Sequence, residues 1–164
     1  MDLEEKMEQE WGPVLAHESG HALMAILYGI PCHGICFEKG VDGGRFCALL
    51  GQSHAEKSQR DYLVSAAGVA AELLIYPNRT SEGAGADRAD FDSSQAPSFE
   101  ETVSRAQAIL AREKSKLDRL ITTLNARLSS VDFDRSRLPE VGMDGSSKRY
   151  LILLSEDEVR GSLQ

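Results

Sequence analysis

At 164 residues, 41% hydrophobic and 27% charged, the chain has the size and composition of a single domain with its own apolar core, spanning residues 1–164. Its net charge of −8 excludes a surface suited to nucleic-acid phosphates or anionic lipid, so neither nucleic acid nor a membrane is expected as a partner. Three cysteines, Cys32, Cys36 and Cys47, are an odd number and a poor disulfide framework, and they read as reduced thiols of a cytoplasmic protein.

The opening Met1-Asp2-Leu3-Glu4-Glu5 lacks the basic-then-apolar order of a signal peptide. Leu3, Met7 and Trp11 lie at helical spacing and suggest a short amphipathic helix over residues 1–11. Gly12-Pro13 breaks it, and proline suits the first turn of a new helix. From Pro13 to about Tyr28 the chain is rich in Ala, Leu, Ile and Met on most faces, which predicts a central buried helix stopped by Gly29-Ile30-Pro31. Its apolar run is far short of the roughly 18–20 residues a membrane span requires.

Short apolar pieces around Gly40 and Gly43-Gly44 predict two strands joined by a turn within 32–50. The stretch Phe46 to Leu50 suits either a strand edge open to an extended peptide or a plain hairpin packed on the core. Ser53 to Tyr76 reads as a second long helix ended by Pro77-Asn78, and residues 78–97 as an acidic, turn-rich loop. Ser98 with Glu101 makes a capping-box pattern. Behind it Val103, Ala106, Leu110, Leu117, Leu120, Leu124 and Leu128 continue one helical stripe to about Ser129, a packing face that could also serve a homo-oligomer. The polar tail from 130 to 164 is an extension whose one apolar patch, Tyr150 to Leu154, fits strand or helix. The expected fold is mainly α, a compact helical array with a small two-stranded β-ribbon.

The string His17-Glu18-Ser19-Gly20-His21 carries the chemistry. Residues four apart share one helix face, so His17 and His21 can converge on one metal ion. Glu18 is turned by about 100° around the axis, a poor position for a third ligand but a good one for a general base acting on metal-bound water. Without a metal, a buried His-Glu-His cluster would be expensive to desolvate. A catalytic zinc site takes three protein ligands and leaves one position open. On spacing, the third ligand could be Glu72, Asp87, Asp90, Asp92, His54 or a cysteine, and nothing in the spacing chooses among them.

Three blocks resemble the peptidase domain of the FtsH-type ATP-dependent zinc proteases. Val14 to Leu23 is similar to the family's H-E-A-G-H-A helix, Ala66 to Tyr76 to its G-R-x-A-E-E helix, and Gly83-Ala84-Gly85-Ala86-Asp87 to its T-G-A-x-x-D segment. The likeness covers about 13–129, including the late leucine-rich helix. It implies an FtsH-peptidase-like fold, Zn2+ as cofactor, Asp87 as third ligand, and hydrolysis of peptides or unfolded protein segments with Glu18 as base. The sequence departs from the family in showing no P-loop and no membrane anchor, in placing Arg88 after Asp87, and in shortening the segment before the late helix to about a dozen residues. These departures suggest an ATP-independent, stand-alone metallopeptidase, or alternatively a metal-bound adaptor that no longer cleaves.

Of the remaining residues, Glu72 is expected either to orient a ligand imidazole or to be a ligand itself, and Asp90 and Asp92 to cap helices in a polar loop. The Cys32, His33, Cys36 and Cys47 set lacks a standard zinc spacing and reads as buried thiols in strands. His54 is expected at the surface. Gly20 costs about 1 kcal/mol inside a helix, a cost best explained by close approach of another element.

Overall fold

A computed structural model describes residues 11–40, 43–51, 57–79, 85–130 and 149–164. The helix expected over residues 1–11 falls almost wholly outside them, as does His54. Six helices and three strands occur in the described residues, in the order α1 (Gly12–Leu27), β1 (Cys32–Gly40), β2 (Gly43–Leu50), α2 (Gln59–Ile75), α3 (Gly85–Ala89), α4 (Phe99–Arg112), α5 (Lys114–Ser130), β3 (Arg149–Ser155) and α6 (Glu156–Ser162).

Helix α1 is the central element. Pro13 sits in its first turn, and twelve of its residues are buried, as its all-round apolar sequence requires. It ends in a Schellman motif: Gly29 takes φ +71, its N–H donates to Ile26 O, and the Ile30 N–H reaches back to Ala25 O. Around α1 pack α2 on one side, α5 on another and strand β2 on a third. Helix α2 begins at Gln59, where the Asp61 carboxylate accepts from both the Ser58 N–H and its hydroxyl and so fixes the first turn; Ser53, the expected start, lies outside the described residues.

The sheet has three strands, not the two expected. Its order is β2-β1-β3, antiparallel throughout, with β1 in the centre and β2 at an edge. The patch Tyr150 to Leu154 is the third strand: Leu153 and Leu154 are fully buried, and the strand supplies β1 with a second partner. Ser155 then caps α6, its hydroxyl accepting from Glu158 N while Glu158 accepts from Ser155 N.

The late helix is also two helices. Every residue of its expected stripe is buried, but the chain turns at Glu113, whose N–H is shared between Ile109 O and Leu110 O. The break lets α4 pack against α2 and α5 against α1. Leu117, Leu120, Leu124 and Leu128 are therefore used within the chain. Among the described residues no helix is long and apolar enough to cross a membrane.

Where α1 crosses α2, the two backbones nearly touch. A Cβ on Gly20 would stand 2.4 Å from Ala67 O and 2.6 Å from Ala71 Cβ, so the expectation of a close approach at Gly20 is met by α2. Helix propensity alone would make Gly20→Ala a gain of about 1 kcal/mol. Overpacking against a backbone oxygen costs roughly 1–3 kcal/mol. Gly20→Ala is therefore expected to lower stability by about 1–2 kcal/mol in urea denaturation, and a stabilised variant would show that the crossing is looser than described.

Candidate metal centre

The contact between α1 and α2 also positions the two histidines. His17 and His21 follow one another by one turn on α1, both are 8% exposed, and both project onto α2. Each ring is held through its Nδ1. His17 Nδ1 lies 2.5 Å from Glu72 Oε1, and His21 Nδ1 lies 2.7 Å from the Val64 carbonyl oxygen. A carbonyl only accepts, so His21 Nδ1 must carry the hydrogen; the carboxylate makes the same demand of His17. In their neutral forms both rings then present a bare Nε2.

Those bare nitrogens point at each other and at a carboxylate. His17 Nε2 is 3.0 Å from His21 Nε2, and Asp87 Oδ2 is 2.8 Å from the first and 3.3 Å from the second. With both imidazoles neutral, three lone pairs converge with no hydrogen between them. Asp87 Oδ2 is buried and accepts a hydrogen bond from no described residue. Such an arrangement calls for positive charge at its centre, supplied by a proton or by a metal cation. Ligand atoms about 2.0–2.1 Å from a tetrahedral metal stand about 3.3 Å apart, close to the three separations seen. The residues present thus fit a divalent ion, and His17, His21 and Asp87 are the one group of three potential ligands found among the described residues.

The electrostatics agree. Burial by itself would lower the His17 pKa, but the Asp87 carboxylate, then Glu72, then Glu18 more than reverse this and hold it up at about 10. His21 is likewise raised against the opposing effect of burial, by Asp87 and Glu18. Burial would raise Asp87, yet the two imidazoles hold its carboxyl far below the usual carboxylate range. The pocket therefore favours positive charge.

Spacing left the third position open among several residues; the structure brings Asp87 to it and gives Glu72 the outer nitrogen of His17. Asp87 rides on the short helix α3, which the sequence reading placed in a loop. Its neighbours pin it: the Arg88 guanidinium stacks 4.4 Å over the Phe99 ring and pairs with Glu100 at 2.8 Å, and Phe91 sits between Tyr62 and Phe99. Asp90 neither caps a helix nor joins the cluster; it accepts from Ser65 Oγ at 2.8 Å and pairs with Lys57. Asp92 is exposed. His33 is outside the centre, 3.7 Å from Glu156.

Glu18 turns away from α2 toward the sheet, where its Oε2 accepts from Ala48 N at 2.8 Å. It lines, with His17, His21 and Asp87, a groove of about 450 Å³ whose opposite wall is strand β2 from Arg45 to Ala48, a volume within the range of ligand sites.

Three contributors were not anticipated. The Val64 carbonyl and the Ala48 amide are backbone groups, which carry no residue-type signal. Gly68 is the third: a Cβ there would stand 2.4 Å from His17 Nε2 and 2.5 Å from His21 Nε2, so only glycine leaves both nitrogens where they are. Its one sequence signal is a glycine within a helix otherwise rich in alanine.

No family model matches the chain, and no curated protein is detectably similar to it.

Two substitutions test the centre. Glu72→Gln, which weakens the acceptor behind His17, is expected to lower divalent-metal affinity by roughly 10–100-fold. Gly68→Ala should lose at least as much while the helical circular dichroism is kept. Unchanged affinity in both, in a titration against a metal-sensitive chelator, would remove the assignment.

Proposed function

We propose that the chain is a zinc-dependent metallopeptidase that hydrolyses peptides or unfolded protein segments, with His17, His21 and Asp87 holding the metal and Glu18 as general base. The observation that carries the reading is the meeting of two imidazole Nε2 atoms and an orphaned carboxylate oxygen beside a carboxylate that shares their groove. Two imidazoles and one carboxylate suit zinc among the common divalent ions. The resemblance of residues 13–129 to the FtsH-type peptidase domain supports the same ligand set and suggests a related fold.

When bound, zinc supplies a Lewis acid that polarises the scissile carbonyl and lowers the pKa of water to about 7. The protein's residues do the rest. Glu72 and Val64 keep both rings in the tautomer whose Nε2 is free. Glu18 takes the proton of the attacking water on a carboxylate oxygen and returns it to the leaving amine. The amide of Ala48 holds that carboxylate at the groove. Strand β2, at the sheet edge and along the groove, offers an extended substrate a parallel course past the site.

The decisive test measures metal content and cleavage together. The wild-type chain should bind about one zinc ion and cleave an unfolded substrate in a chelator-sensitive, zinc-restored manner. Glu18→Gln should keep its zinc and lose about 10²–10⁴-fold in kcat. Undiminished cleavage by Glu18→Gln would defeat the mechanism, and a zinc-loaded wild type inert on diverse unfolded substrates would favour the adaptor.

A further inference from the structure

We propose that Cys36 and Cys47 form a reversible disulfide, a redox modification site in the wall of the groove. Strand register brings the two thiols together, independently of the metal centre. Cys36 on β1 and Cys47 on β2 are directly opposite partners in the antiparallel ladder, and their Sγ atoms are 3.1 Å apart. Opposed residues of such a ladder have Cα atoms about 4.5–5.5 Å apart, inside the roughly 4.4–6.8 Å span that disulfides adopt. The bond requires the sulfurs to close by about 1 Å, with no change of register. Both thiols are free.

The two differ in access. Cys36 is fully buried, while Cys47 is partly exposed and lines the groove. A small oxidant therefore meets Cys47 first. Hydrogen bonding from Cys36 holds the Cys47 thiol below its ordinary pKa, which favours the reactive thiolate there. With hydrogen peroxide as oxidant, Cys47 sulfur attacks one peroxide oxygen, the O–O bond breaks, and hydroxide leaves to become water. The Cys36 sulfur then attacks the Cys47 sulfenic acid; the S–O bond breaks, the S–S bond forms, and the Cys36 proton leaves with the second water. Two thiols lose two electrons and one peroxide becomes two waters.

Cys32 provides an internal control. It is buried, its thiol faces Gly34 O, and its ladder partner is Leu50, so it has no second sulfur opposite. The bridge would fasten the groove-lining strand to β1 one residue from Ala48, whose amide holds Glu18.

The full chain is treated with a small excess of hydrogen peroxide, unfolded, alkylated with N-ethylmaleimide and weighed intact. Before oxidation all three cysteines should take the label. Afterwards only Cys32 should, with peptide mapping joining Cys36 to Cys47 and dithiothreitol restoring full labelling. Cys47→Ser should keep both of its remaining thiols labelled through the same treatment. Undiminished labelling of the oxidised wild type, a bridge to Cys32, a disulfide between two chains, or arrest at Cys47 sulfinic acid would each overturn the proposal.

Discussion

The crossing of α1 over α2 is the constraint on which everything else rests. Buried imidazoles and carboxylates are costly unless each polar atom finds a partner, and the crossing supplies the partners. Along α2, Val64, Gly68 and Glu72 are spaced by four, hence aligned on one face. Opposite them on α1 stand His17 and His21, also spaced by four. The Val64 carbonyl takes the outer nitrogen of His21, Glu72 takes that of His17, and Gly68 leaves room between them. One turn of one helix is matched to two turns of the other, and Gly20 allows the backbones close enough for the match to work.

This arrangement explains why the third position falls to a residue outside both long helices. The outer nitrogens are already satisfied from α2, so the remaining partner must approach the Nε2 side. Asp87 does so from the short helix α3, which has no buried residue of its own. Its placement is held by the Arg88–Phe99 stack, the Arg88–Glu100 pair and the aromatic contacts of Phe91. Arg88 is thus part of what fixes its neighbour.

Much of this was legible in the sequence where a single helical face carries the signal. The histidine pair, the buried helix around it, the close approach at Gly20 and the leucine stripe all follow from 3.6-residue periodicity and residue type. The misses have a common cause: they depend on elements far apart in the chain. The turn at Glu113 leaves no mark on the stripe, because Leu110 and Leu117 keep heptad spacing through it. Tyr150 to Leu154 becomes a strand because β1 has an unpaired edge to offer, which local pattern does not reveal. Spacing alone left Asp87 and Glu72 equivalent, and the resemblance pointed to Asp87; the fold sets Asp87 against the inner nitrogens and Glu72 against the outer one. The Cys36–Cys47 juxtaposition required the ladder register.

The helix offset between Glu18 and the histidines has a structural consequence. A rotation of about 100° per residue sends the imidazoles onto α2 and Glu18 onto β2, so two different layers hold the two parts of the proposed machinery. The two imidazoles are fixed by the packing of α1 on α2, and Asp87, which is partly exposed, is brought to them by α3. The carboxylate is fixed by one amide of an edge strand, a softer support than a packed core. Movement of β2 along or away from the groove would shift Glu18 while leaving the three ligand atoms in place. A peptide aligned on β2 would bear on the same strand that sets the position of the base, coupling substrate seating to proton transfer without disturbing the metal centre. In the proposed mechanism the sheet therefore does more than close the core: its edge is where binding and chemistry would meet.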